Sequence, residues 1–241
     1  MANYSLDISN AISAGWEYAK KHGILIAVIY FITGTISSLL QNFNTQNIDP
    51  DTYTMLGERI AQGDTEALNR LVEIYSNSGS WLAYIIGIVF AIIVNVGLYN
   101  LALGLTSGRY TEVCFDAFKL PLQVYLKVAI VQIVVGILTC IAALSCIIPA
   151  FYVGPRLSQA VFYIIDHPEA DIMDAIKASW KMTQGNVLAL IGFSIIFFFI
   201  FIIGILCCCV GYYFTLAISL FAMTAVYYQL KGNLVKKHLS H

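Results

Sequence analysis

Charge is what this chain has least of. Aspartate, glutamate, lysine and arginine make up 11% of its 241 residues, against about 25% in a water-soluble domain, so most of its outer surface is not built to face water. No aspartate or glutamate falls inside any of the long apolar runs, which argues against a proton-relay pump or an intramembrane acid protease. The chain has no G-x-x-x-x-G-K phosphate loop, no H-E-x-x-H, no G-x-S-x-G and no C-x-x-C, the short patterns that carry nucleotide, zinc, acyl-transfer or dithiol chemistry. None of the four histidines lies deep in an apolar run. These absences lead to the expectation of a non-enzymatic protein with no metal and no cofactor.

What the chain has instead is length without charge. A bilayer core needs about 20 apolar residues as helix. The stretches 23–40, 81–105, 187–207 and 212–230 each supply about that without one charged side chain, and 125–143 carries only Lys127. A further stretch, 147–165, is interrupted by Pro149, Pro155 and Arg156. The pattern predicts an all-α integral membrane protein of about six transmembrane helices in three hairpins, forming one membrane domain over 1–241. The first apolar run starts after 22 residues and lacks an A-x-A-like exit, so a cleaved signal peptide is not expected.

Charge also orients the chain. Segment 41–80 holds six acids against Arg59 and Arg70, while the other eleven basic residues lie elsewhere, mostly beside span ends. The positive-inside rule then places both termini and the loops near 106–122 and 166–186 in the cytoplasm, with 41–80 outside. Within 41–80, Asp49-Pro50 and Asp64-Thr65 read as helix starts and Gly63 as the break between them, so a short helical hairpin is expected there. The basic tail after Lys231 reads as an orientation signal in contact with anionic lipid rather than a nucleic-acid site.

One helix is written twice. Shifted by 164, Asp7, Ile8, Ala11, Ile12, Ala14 and Trp16 fall on Asp171, Ile172, Ala175, Ile176, Ala178 and Trp180. In each copy the apolar positions recur on one helical face. Residues 1–22 and 166–186 are therefore expected to be amphipathic helices in the cytoplasmic interface, anchored by Trp16 and Trp180. Each would turn through a polar hinge, Lys21-His22-Gly23 or Gln184-Gly185-Asn186, into an outgoing span. A fainter third copy lies at 113–122, where Asp116, Ala117 and Lys119 match Asp174, Ala175 and Lys177.

The stretch from Phe151 to Asn186, "FYVGPRLSQAVFYIIDHPEADIMDAIKASWKMTQGN", resembles a broad group of bacterial polytopic membrane proteins. In that group a span with a basic residue leads to an A-I/L-x-x-S-W-x-x-T-x-G helix and then to another span. It includes the membrane regions fused to some glycerophosphodiester phosphodiesterases and families of unknown function. The matching residues are Arg156, Ala175, Ile176, Ser179, Trp180, Thr183 and Gly185. The resemblance implies architecture and a bacterial inner membrane; the phosphodiesterase domain itself has no counterpart here.

Arg156 is the residue that asks for a function. About ten residues, or about 15 Å of helix, separate it from each end of its run, a depth at which a charge costs about 2.5–3.5 kcal/mol. If Pro155 opens a new helix, that helix's positive end and the guanidinium together would suit an anion such as a phosphate or lipid headgroup, with Gln159, Gln132 and Asn95 lining the same cavity. The alternative is that Arg156 caps backbone carbonyls freed by the break, or snorkels. Cys146 and Cys207, Cys208 and Cys209 fall near the outer ends of their spans, where an oxidising compartment would permit a disulfide. Three functions stay open: a protein that binds or translocates a lipid or amphiphilic anion near Arg156; a structural or accessory subunit that packs against a membrane protein partner or a second copy; and an outer-face thiol-disulfide protein. Membrane lipids are the expected partners in every case.

Overall fold

The computed structural model describes residues 6–45, 49–77, 80–145, 147–206 and 208–239. Every α-helical or 3-10 element among them is helical and no strand occurs: α1 (Ile8–Thr45), α2 (Pro50–Ala61), α3 (Thr65–Asn77), α4 (Ser80–Thr106), a single 3-10 turn (Phe115–Phe118), α5 (Leu122–Ser145), α6 (Ile147–Leu157), α7 (Ala160–Asp166), α8 (Ile172–Met182), α9 (Val187–Leu206) and α10 (Cys208–Leu239). Among the described residues five stretches are long and apolar enough to cross a membrane: Ile8–Leu39, Ile85–Thr106, Leu122–Ala143, Val187–Leu206 and Gly211–Gly232. Large apolar side chains remain exposed along them, among them Ile130, Ile133 and Ile137 on α5 and Phe198, Phe199 and Ile202 on α9. Such rows suit lipid and not water. This is the make-up of a multi-pass membrane protein.

The sixth expected span, 147–165, is not one helix. It is divided into α6 and α7 by a turn at Ser158–Gln159. Pro155 does not start a new helix. It lies inside α6, and Arg156 occupies that helix's last turn. Proline within a buried membrane helix is tolerated when neighbours satisfy the carbonyls it frees, and the break comes after Arg156 rather than before it.

The chain forms two compact units. The smaller, 31–94, contains the α2–α3 hairpin. Asp49 caps α2, accepting a hydrogen bond from the Asp51 amide, with Pro50 at the first helical position. Gly63 turns the chain at φ 87°, a left-handed conformation that favours glycine. Asp64 then accepts from the Glu66 and Ala67 amides and from Arg59 Nε at 2.9 Å. The Arg59 hydrogen bond, ahead of the amides, holds the Asp64 carboxyl below its ordinary value.

The larger unit, 1–30 with 95–241, holds the first part of α1, the second part of α4 and every element from the 3-10 turn onward. The hinge expected at Lys21-His22-Gly23 is absent, because α1 runs through it unbroken. Gly23 has a packing reason instead: a Cβ there would meet the Phe214 ring at 3.1 Å. The second hinge is real. α8 ends at Met182, Gly185 adopts φ 89°, and α9 starts at Val187. The third copy amounts to the 3-10 turn alone, since Pro121 stands three residues after its end and α5 begins at Leu122. Burial nonetheless matches between the two main copies: Ala11 and Ala175, Gly15 and Ser179, and Ala19 and Thr183 are buried, while Trp16 and Trp180 are exposed.

Candidate functional site

The S-W-x-x-T part of the motif is the socket for Arg156. Arg156 as a whole is 5% exposed. Its Nη2 donates to the Trp180 carbonyl at 2.9 Å, its Nη1 to the Tyr152 hydroxyl at 2.8 Å and its Nε to Thr183 Oγ1 at 3.4 Å. Ser179 Oγ reciprocates by donating to the Arg156 carbonyl at 2.6 Å. The guanidinium carbon lies 3.7 Å from the centroid of the Trp180 ring, close enough for a cation–π contact, and the Tyr152 ring meets that indole edge-on at 6.2 Å. Trp180 sits in the last turn of α8, where a helix exposes unpaired carbonyls and the negative end of its dipole. Arg156 therefore joins the C-terminal end of α6 to the C-terminal end of α8. Its partners among the described residues are a carbonyl of α8 and two hydroxyls, not the carbonyls freed by a break in its own helix.

The four residues expected to share a site are distributed. Arg156 faces α8. Gln159 is fully buried at the α6–α7 turn; its Nε2 donates to Ser158 Oγ at 3.2 Å, and its Oε1 has no partner among the described residues. Gln132 is half-buried on α5. Asn95 lines a cleft of about 310 Å³.

That cleft lies between α1, α4, the α6–α7 segment and α10. Its polar lining is Tyr30, Asn95, Tyr99, Ser158 and Ser219; its apolar lining is Val161, Phe162, Leu216, Leu220 and Met223. Phe162 meets Tyr99 at 5.3 Å and the buried Tyr227 at 6.0 Å, so part of the lining belongs to an aromatic group that continues into α10. No carboxylate, imidazole, thiol or cation lines it among the described residues. The sequence reading passed over Tyr30, Tyr99 and Ser219. Their signal was hydroxyls within apolar runs, a common feature of membrane helices.

A second polar cluster, also unforeseen, gathers the ends of several helices. Asp166, at the end of α7, has a side chain only 8% exposed. It accepts from Lys231 Nζ at 2.6 Å and the Tyr227 hydroxyl at 2.8 Å, both on α10, and lies 3.7 Å from Arg109 just beyond α4. Burial pushes this carboxyl up, but hydrogen bonds from Lys231 and Tyr227 and the charges of Lys231 and His167 outweigh it, leaving the pKa below its ordinary value. Lys127, in the second turn of α5, donates to the Pro168 and Ala170 carbonyls at 2.7 and 2.9 Å. The amides of Leu6 and Asp7 reach Asn186 Oδ1 at 2.8 Å and Gln229 Oε1 at 3.1 Å. The starts of α1, α5 and α9 thus share one polar layer with the ends of α4, α7 and α10.

Trp16 and Trp180 are 46% and 41% exposed. Trp16 contacts Phe214 edge-on at 6.1 Å. Of the cysteines expected to form a disulfide, Cys146 and Cys207 lie outside the described residues, as do the side chains of Cys208 and Cys209. Cys114 and Cys140 are free thiols. The described residues contain no group of three or more His, Cys, Asp or Glu side chains able to hold a metal ion. No protein-family model matches the chain, nor does any curated protein or solved structure.

Proposed function

We propose that this chain is a non-enzymatic integral protein of a bacterial cytoplasmic membrane that holds a lipid-like amphiphile among its helices. The observation that carries the reading is the lining of the cleft: five polar residues and five apolar ones around about 310 Å³, with no carboxylate, imidazole, thiol or cation among the described residues. A pocket of mostly apolar walls with a few placed polar groups is the usual form of a small-molecule site. The amphiphile belongs in the cleft beside Ser158 and not on Arg156, because the guanidinium is already engaged by Tyr152 on α6 and by Trp180 on α8. Filling the cleft tests this. Ser219→Trp is expected to abolish a lipid-sized adduct that native mass spectrometry detects on the gently purified wild type. An adduct retained at wild-type level by Ser219→Trp would remove the cleft from the reading.

The same proposal includes six crossings with both termini cytoplasmic. α6 and α7 together return the chain to the polar layer that holds the start of α5: Lys127 near that start bonds Pro168 and Ala170 just after α7. If α5 crosses the bilayer, the α6–α7 pair retraces the same distance. An even count puts both termini on one side, and the excess of lysine and arginine around that polar layer makes it the cytoplasmic side. The motif shared with bacterial polytopic membrane proteins supports the same placement. In a variant with all six native cysteines replaced, Asn69→Cys is expected to react with an impermeant maleimide on intact cells, while Asn10→Cys and Lys177→Cys react only after lysis. Labelling of Asn10→Cys in intact cells would overturn the orientation.

A further inference from the structure

Three hydroxyl-bearing side chains line the cleft with no hydrogen-bond partner among the described residues. Tyr30 on α1, Tyr99 on α4 and Ser219 on α10 all line it, and none makes a hydrogen bond with another described residue. Hydroxyls elsewhere in these helices are satisfied locally: Thr35 donates to the Phe31 carbonyl on α1, Thr106 to Ala102 on α4 and Thr215 to Tyr212 on α10. The fourth hydroxyl of the lining, Ser158, is also occupied, donating to the Pro155 carbonyl and accepting from Gln159. An unpaired hydroxyl in an apolar setting is unfavourable, and lipid chains offer it nothing. Three of them on three different helices, bordering one cleft, describe a receptor for hydrogen-bond acceptors.

The lining also says what the head is not. With no cation facing the cleft, a phosphate or carboxylate placed there would be an uncompensated charge out of water. With no carboxylate, a cationic head meets the same objection. Resting on the reading that the cleft holds a membrane amphiphile, we propose that its head is uncharged and bears carbonyl oxygens, which accept hydrogen bonds from Tyr30, Tyr99 and Ser219. The ring edge shared by Tyr99 and Phe162 forms the wall against which the head rests, and Leu216, Leu220 and Met223 contact the start of its apolar chain. The carbonyls of an isoprenoid quinone and the ester carbonyls of a diacylglycerol share this chemistry.

The test uses the full chain in mild detergent, with three probes added separately: a short-chain isoprenoid quinone, a diacylglycerol and phosphatidylglycerol. Binding is followed by native mass spectrometry. The variant Tyr30→Phe/Tyr99→Phe/Ser219→Ala removes three oxygen atoms and leaves the walls in place; each single variant is measured beside it in case the triple one unfolds. Binding of the quinone that weakens at least tenfold in the triple variant, and by less in each single one, supports the proposal with the quinone as source. The same pattern with the diacylglycerol supports it with the ester as source. Equal binding of a neutral probe by wild type and hydroxyl variants overturns it. So does phosphatidylglycerol binding alone, if Ser219→Trp blocks it, although the cleft then still holds an amphiphile. Binding of no probe, with no adduct on the purified protein, overturns both readings.

Discussion

Arg156→Leu is expected to lower the stability of the detergent-extracted protein by about 3 kcal/mol or more, read as the midpoint of thermal or denaturant unfolding. Hydrogen bonds to a charged group are worth about 1.5–3 kcal/mol each, and removing one partner of a buried set leaves the others unsatisfied. Leucine would strand the Trp180 carbonyl and the Tyr152 hydroxyl and would uncover the face of the Trp180 ring. Against this stands the relief of the charge's own desolvation, which on sequence alone would make leucine neutral or stabilising. The guanidinium, however, is compensated on several sides, and of the hydrogen bonds between α8 and the end of α6 the one from Ser179 to the backbone carbonyl of residue 156 survives the substitution while those from the guanidinium are lost. Arg156→Lys keeps the charge but not the planar fork that reaches Tyr152 and Trp180 together, so an intermediate loss of about 1–2 kcal/mol is expected. Lys177→Leu, on the exposed face of α8, should fall within about 0.5 kcal/mol of wild type. An Arg156→Leu protein as stable as wild type would mean that the socket contributes nothing.

Arg156 also shows how far a sequence reading reaches. Its rarity inside an apolar run marked it as engaged, and the hydroxyls that engage it stand in the same motif, at Ser179 and Thr183. What the order of residues did not carry was direction. Pro155 reads as a helix start because its fixed φ suits a first turn, yet it sits in the last turns of α6, so the guanidinium faces the C-terminal end of another helix and not an N-terminal anion site. The hinge in the first copy failed for a similar reason. Lys21-His22-Gly23 looks like a break, but glycine in a helix costs only about 1 kcal/mol, and here it admits the Phe214 ring. The α2–α3 hairpin was legible in full, because Asp49-Pro50, Gly63 and Asp64 act locally. The cleft was not, because three hydroxyls on three helices far apart in the chain converge only after packing.

Gly15→Ala is expected to cost about 1–3 kcal/mol, although alanine's helix propensity alone would favour it by about 1 kcal/mol. A Cβ at Gly15 would stand 2.8 Å from Ala222 Cβ, 2.9 Å from the Ala222 amide nitrogen and 3.0 Å from its Cα. Two of those three atoms are backbone, so no rotamer change gives way; α1 must move off α10. That contact is reinforced by Tyr18 stacked on Phe221 at 5.5 Å and by Trp16 against Phe214, and all of it would shift together. Gly57 on α2 is the control. Nothing lies within 4 Å of a Cβ there, and Gly57→Ala should raise stability by about 0.5–1 kcal/mol. Ala222→Gly added to Gly15→Ala should restore only part of the loss, since it removes one close atom and leaves the amide and the Cα. The comparison with the second copy explains why the position matters: Gly15 and Ala19 stand where Ser179 and Thr183 do. The same helical face docks α1 on α10 through missing side chains and holds Arg156 on α8 through hydroxyls. A Gly15→Ala protein that unfolds at or above the wild-type temperature would show that α1 and α10 do not approach so closely, and the division of roles between the two copies would go with it.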